Sequence, residues 1–344
     1  MRNPQHRIPS VLFDHRIRDP DNTRHQWHPP TPPPPRHHTV PFHSPADIAK
    51  SNRFAAPSGP FTGISPQNRR PALVPTLRAR YLSTMNKPTN QPVLEVENLN
   101  VRYGSFQAVK GVSFQVQPGE IFGLLGPNGA GKTSTLSAIE GLLKPNSGSI
   151  RISGNDTREQ PLHARASMGV QLQSTSFQPE LTISEIIQLF AGIHGITLST
   201  QRTNEILSDI KLEDSATKRF GQLSGGQQQR VSLVIATIHQ PPLVLMDEPT
   251  TGLDPQSRRQ LWERIEAMRA KGHSILLTTH SMEEAESVCD RIAIIDHGQI
   301  ITIDTPQAII DDNRDKPEVI RASRKGRITL EDVFIGLTGT AIRS

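Results

Sequence analysis

The stretch from Gly126 to Ser134, Gly-Pro-Asn-Gly-Ala-Gly-Lys-Thr-Ser, constrains the fold more than any other part of the chain. It fits GxxxxGK[ST], a pattern that works between a strand and a helix. Both flanks suit it. Glu120 to Leu125 is a short apolar run, as expected of a buried strand. Thr133 to Leu143 carries Leu136, Ile139 and Leu143 at helical spacing. Gly126, Gly129 and Gly131 let the backbone curl until successive N–H groups face one point, with Asn128 in the same loop. The helix start adds partial positive charge there. Such a loop cradles phosphate. Lys132 can reach the outer phosphates and the Thr133 hydroxyl can sit on Mg²⁺.

The rest of the chain supplies further strand ends with chemistry on them. Leu243 to Met246 is an apolar run that ends in Asp247 and Glu248. In α/β folds the carboxyl ends of the strands carry the sites. Asp247 can hold Mg²⁺ through water, and Glu248 can orient or deprotonate an attacking water. Ser274 to Thr278 reads as a core strand with His280 just past its end, placed for a γ-phosphate contact. Met168 to Leu172 reads as a strand ending at Gln173, whose amide can face the same site. Leu223-Ser-Gly-Gly-Gln227, followed by Val231, Val234, Ile235 and Ile238, sets a second anion nest at a second helix start. One nucleotide does not need both nests, which points to two copies of the chain sharing each nucleotide.

Leu94 to Glu97 and Val112 to Val116 alternate as half-buried antiparallel strands, with Gly148 to Ile152 as a further strand. Tyr103 lies between the first two. It can stack on an adenine ring or pack at a strand edge, and its spacing does not choose. Thr182-Ile-Ser-Glu185 is a capping box opening a helical stretch, with breaks expected at Gly192 and Gly195. Phe177, on the loop before it, is either an anchor for a partner protein or a cover for the helical segment's own base. Thr250 to Pro255 is a tight turn bearing Asp254. A helix with Leu261, Ile265 and Met268 on one face follows, and Gly272 ends it. Cys289 has no His or Lys partner nearby in sequence and reads as packing. Thr329 to Asp332 is another capping box, so a short closing helix is expected.

Charge limits the partners. The chain carries +5, but residues 1–84 hold eleven Arg and one Lys against four Asp, a net +8, which leaves −3 for the remaining 260 residues. The folded part therefore has no global nucleic-acid footprint. A single cysteine cannot form an intrachain disulfide, which suits a reducing compartment. No apolar run approaches the roughly 18 residues of a spanning helix. The first 84 residues hold sixteen prolines and seven histidines and lack a core-forming pattern, so disorder is expected. A binding tail, a transit peptide and upstream sequence ahead of the true start all fit. The excess of arginine over lysine favours the last, with Met85 as the start. The leader histidines have no spacing suited to a metal site.

Taken together, these motifs resemble the ATP-binding subunits of ABC transporters. Gly126 to Ser134 match their Walker A motif and Leu243 to Glu248 their Walker B motif with its catalytic glutamate. Leu223 to Gln227 match the ABC signature, Gln173 the Q-loop, Asp254 the D-loop, His280 the switch histidine and Tyr103 the A-loop aromatic. No catalytic position departs from the pattern. Asp247-Glu-Pro-Thr-Thr-Gly-Leu-Asp-Pro255, Leu277 to Glu286, Cys289 to Gly298 and the tail Thr329 to Gly339 are similar to the ABC-2 exporter group, which moves drugs, polysaccharides and lipids. The tail here is shorter than in many of that group.

The resemblance implies an α/β P-loop NTPase fold with a RecA-like core, an antiparallel β subdomain and an inserted helical subdomain. The expected layout is a leader over 1–92, an ABC ATPase domain over 93–310 with its helical subdomain at about 180–240, and a C-terminal extension over 311–344. It implies ATP held by Tyr103, Gly126, Asn128, Gly129, Gly131, Lys132, Thr133, Ser134, Gln173, Asp247 and Asp254. Ser224, Gly225, Gly226 and Gln227 of a second copy close the site. Mg²⁺ is expected on Thr133, Gln173 and Asp247, and turnover is assigned to Glu248, His280, Gln173 and Lys132. The expected partner is an ABC-2 permease at the cytoplasmic face of the cell membrane, with no nucleic acid. Soluble ABC ATPases acting on nucleic acid, ribosomes or cofactor assembly, and importer ATPases, are the alternatives.

Overall fold

The computed structural model describes residues 91–171, 177–178, 180–323 and 327–339. The leader, Met85 and Gln173 lie outside the described residues. Ten strands and ten α-helices are described. The strands form two sheets. One is antiparallel, in the order β2 (Phe106–Val116), β1 (Leu94–Tyr103), β4 (Ser147–Ile152) and β5 (Asn155–Asp156). The other runs β10 (Gln299–Asp304), β9 (Arg291–Asp296), β3 (Ile121–Leu125), β8 (Ser274–Thr279), β7 (Leu243–Asp247) and β6 (Met168–Gln171). All neighbours in this sheet are parallel except the edge pair β9 and β10.

The apolar runs follow from burial on both faces of the second sheet. Alternate residues go to opposite cores, as the two-residue period requires. Phe122, Leu124, Leu245, Leu276, Ala293 and Ile295 face the antiparallel sheet and α1 (Lys132–Ile139). Phe114 and Phe122 stack there at 5.2 Å. Ile121, Leu125, Val244, Met246, Ile275, Leu277, Ile292 and Ile294 face the other side. Helices α6 (Pro255–Ala270), α7 (Met282–Val288), α8 (Pro306–Asn313) and α10 (Leu330–Thr338) cover that face through Leu261, Ile265, Ala285, Ile309 and Phe334. Helix α8 runs through residue 310, and the closing helix is packed into the same core. The expected capping box at its start forms, with Thr329 and Asp332 bonded reciprocally.

Between β6 and β7 the chain is helical: α3 (Ile183–Ile193), α4 (Thr200–Asp209) and α5 (Gly225–Thr237) enclose a third core around Ile186, Ile187, Leu207, Phe220 and Val231. The Thr182–Glu185 capping box also forms. Helix α3 passes through Gly192, where a break was expected. Gly195, at φ +69°, is where the chain turns away. Phe177 packs edge-on against Phe190 and Phe220, at 5.4 and 4.7 Å, so its ring covers the helical core. Among the elements without a clear sequence signal are α2 (Pro161–Ala166), which is short, and β10, whose residues are exposed or half-buried in equal number.

One contact ties the helical segment to the sheet. The rings of His194, at the end of α3, and His239, after α5, stack in parallel at 3.8 Å. His239 Nε2 lies 3.1 Å from the Met168 carbonyl on β6. Burial, the neighbouring His194 and more distant His273 push His239 down to about 4, against a weaker upward pull from the Met168 carbonyl. The unfolded chain therefore takes a proton here first. Stability is full above about pH 6.5 and falls as pH drops toward 4. His239→Gln keeps a donor toward Met168 and does not titrate. It is expected to remove on the order of 1–3 kcal/mol of the stability loss across that window, read from urea unfolding of both proteins at pH 7 and pH 4.5.

Candidate functional site

The register of three adjacent strands builds the site. Leu125 on β3 pairs with Thr279 on β8, and Thr278 pairs with Asp247 on β7. Gly126, Thr279 and Asp247 thus arrive together at the carboxyl edge of the sheet, and the Gly126 N–H donates to the Thr279 carbonyl at 3.3 Å. Glycine is obligatory at two points of the loop. A Cβ on Gly126 would lie 2.2 Å from the Ile295 carbonyl oxygen. One on Gly131, at φ +105°, would lie 2.6 Å from that of Ala108. Gly131 starts α1 with no side chain to cap it. The first-turn N–H groups therefore stay available to an anion.

Lys132 is only 4% exposed. Its Nζ donates to the carbonyls of Gly126 (2.8 Å) and Pro127 (3.2 Å), and lies 3.3 Å from Glu248 Oε1. His280 Nδ1 lies 3.3 Å from Glu248 Oε2 without hydrogen-bond alignment. The Thr251 hydroxyl donates to the same oxygen at 3.2 Å. Burial opposes the charged form of Glu248, but Lys132, His280 and the hydrogen bonds outweigh it and hold the carboxyl below its ordinary range. Glu248 has φ +46°, a conformation that persists only where its surroundings enforce it. The Thr278 hydroxyl accepts its N–H at 2.9 Å and donates to Asp247 Oδ1. Thr133 Oγ1 lies 3.4 Å from Asp247 Oδ2. A hydroxyl and a carboxylate converging this way are hard oxygen donors that suit Mg²⁺.

Tyr103 is 51% exposed, and its hydroxyl lies 3.4 Å from that of Ser134. Its half-exposed ring stands at the end of β1 and borders the phosphate loop. Ser224 caps α5 in a reciprocal box with Gln227. Among the described residues, no hydrogen bond or ion pair joins Ser224–Gln227 to Gly126–Ser134 of the same chain. Asp254 caps α6 through the N–H groups of Gln256 and Ser257. The Ser257 hydroxyl, more than those N–H groups, holds its carboxyl below the usual range.

The ABC transporter family profile matches residues 109–251. The Nod factor export ATP-binding protein I of Burkholderia pseudomallei (strain K96243) is 37% identical over 294 aligned positions, covering 72% of this chain and 97% of the relative. The protein of the same name from Ralstonia nicotianae is 42% identical, covering 64% and 69%. A solved ATP-binding subunit of an ABC transporter superposes with a TM-score of 0.63 at 32% identity, covering 72% of this chain and 99% of that one. This chain belongs to the ABC transporter ATP-binding family.

The ABC ATPase holds polar groups at its site that spacing did not single out. Thr278 ties both acids of the site and sits in an otherwise apolar strand. Thr251 reaches Glu248 from the next turn. Glu140, just after α1, is pushed up to about 7 by burial and, less strongly, by the charge of Asp247. A glutamate between Ile139 and Gly141 at the end of an apolar helix was the available sign. Thr278→Val keeps the shape of the strand but leaves the Glu248 N–H and one Asp247 oxygen without their partner. A loss of about 1–3 kcal/mol in stability is expected, measured by urea unfolding at neutral pH.

Proposed function

We propose that this ABC ATPase powers export through a separate ABC-2 type membrane permease, working as a head-to-tail pair of ATPase subunits at the cytoplasmic face of the membrane. The observation that carries the mechanism is the convergence of Lys132, Asp247, Glu248 and His280 at one sheet edge, while the Ser224–Gln227 nest stands apart from its own loop. The export names of the relatives support the direction. Among the described residues no helix is long and apolar enough to cross a membrane. Residues 311–323 and 327–339 continue the packing of the 93–310 domain through Val319, Leu330, Val333 and Phe334, and the helical subdomain takes up about 180–240.

In this reading the N–H groups at Asn128, Gly129, Gly131, Lys132 and Thr133 hold the ATP phosphates, Gly126 opens the loop that presents them, and Tyr103 carries the adenine. Ser134 supports the loop beside it. Thr133 and Asp247, with Gln173, would hold Mg²⁺. Bound there, the ion would supply charge neutralisation to the phosphates. Lys132 is shared between loop carbonyls and Glu248, so a γ-phosphate competes with Glu248 for its charge. Losing that ion pair raises the basicity of Glu248, which then accepts the proton of the attacking water. His280 steadies the transferring group. Ser224, Gly225, Gly226 and Gln227 of the second copy close over it, with Asp254 at the seam. Binding energy realised only on closure drives the transport step.

Glu248→Gln keeps the shape and cannot take the proton. Hydrolysis is expected to fall by about 10²- to 10⁴-fold with ATP still bound. An ATP-bound dimer should then accumulate in size-exclusion chromatography with Mg²⁺, and a wild-type rate in this variant would refute the mechanism. The transport reading has its own test. The ATPase is co-expressed with a tagged ABC-2 type permease, and detergent-extracted membranes are purified on the tag carried by that permease. Co-purification is expected. Co-sedimentation with ribosomes or nucleic acid instead would overturn the reading.

A further inference from the structure

Behind Glu248 lies a second carboxylate with no role in the mechanism above. Glu284, on the first turn of α7, is buried. Its Oε2 accepts the Thr250 hydroxyl at 2.7 Å and the Thr279 hydroxyl at 3.3 Å. Its Oε1 lies 3.2 Å from Arg258 Nε. A buried carboxylate costs several kcal/mol unless such partners satisfy it. The three partners come from three different segments. Thr250 is two residues after Glu248. Thr279 immediately precedes His280, and its hydroxyl also accepts the Ser281 N–H at 2.9 Å. Arg258 is on the first turn of α6, and its N–H donates to the Asp254 carbonyl at 3.0 Å.

We propose that Glu284 is a positioning residue for ATP hydrolysis, cross-tying the segments that carry Glu248, Asp254 and His280 so that they move as one. The proposal rests on the catalytic reading of Glu248 and His280 given above. Its basis is the geometry of the clamp. Glu248 holds a left-handed backbone that needs enforcement from outside, and the turn after it is anchored by Thr250. The His280 segment is anchored through Thr279 to the other side of the same carboxylate oxygen. With the clamp cut, each segment relaxes separately. A misplacement of about 1 Å at a reacting group can cost on the order of 100-fold in rate.

The test uses the full chain with Mg²⁺ and ATP, measuring kcat, ATP affinity, bound ATP per chain and the melting temperature. Glu284→Gln keeps an oxygen that can accept both hydroxyls but removes the charge that holds Arg258 and sets an amide NH₂ against that guanidinium, so the arm to α6 is cut. Its kcat is expected to fall about 10- to 100-fold, with ATP affinity within about threefold and binding stoichiometry unchanged. A merely structural loss would lower the bound ATP per chain along with the rate. Glu248→Gln with Glu284→Gln should be slower than Glu248→Gln alone by less than about threefold, because a residue acting through Glu248 has little left to lose. Thr250→Val and Thr279→Val cut the clamp one strand at a time and cover the case in which Glu284→Gln does not fold. Each should lose rate at constant affinity. The proposal is overturned if Glu284→Gln, or in its absence both threonine variants, hydrolyse ATP within about threefold of wild type. It is also overturned if the Glu284→Gln effect multiplies in full on top of Glu248→Gln. A wild-type rate in Glu248→Gln would instead remove the catalytic reading itself.

Discussion

The hydrogen-bonded register of β3, β8 and β7 is the constraint on which the rest of the structure depends. It sets Leu125 against Thr279 and Thr278 against Asp247. Three segments distant in sequence thereby end at one edge. Both faces of this sheet are covered, so polar side chains have little place within it except at that edge. The phosphate loop, the two acids and His280 emerge where the apolar strands stop. A slip of one residue in β7 would send Val244 and Met246 to the wrong core and move Asp247 off Thr278.

The electrostatics of the edge follow from its position. Lys132 is buried and therefore must find partners. It finds two carbonyls and Glu248. Glu248 is held charged by that lysine and by His280, against the cost of burial. The arrangement is self-consistent, and it is also responsive. In the proposed mechanism a phosphate competes with Glu248 for Lys132, which links substrate arrival to activation of the base. Glu140 adds a third acid near Asp247 whose charge is disfavoured by the same burial.

The helical segment obeys different physics. Its core around Ile186, Leu207 and Phe220 is separate from the two cores of the sheet. Helix α5 joins them, with Val231 and Ile235 in one core and Leu233 in another. The segment has its own core and is joined to the sheet through this bridging helix, the histidine stack and the Gln229 amide, which donates to the Pro249 carbonyl.

Much of this was legible in the residues. The glycine loop, the acid pair at the end of an apolar strand and the capping boxes at Thr182 and Thr329 are local patterns whose chemistry follows from adjacent residues. The strands buried on both faces could be read because burial makes them continuously apolar. Other features could not be read. Whether Tyr103 packs or stands free depends on how the β1–β2 hairpin lies over the loop, and Phe177 covers a core whose other members lie beyond it in sequence. The roles of Thr278 and Glu284 depend on partners up to 34 residues away. Sequence by itself determined which groups this protein brings to phosphate chemistry, since local spacing dictates strand, loop and helix. Only the tertiary structure decided which of those groups touch, because the register of non-neighbouring strands is settled by the packing of whole sheet faces.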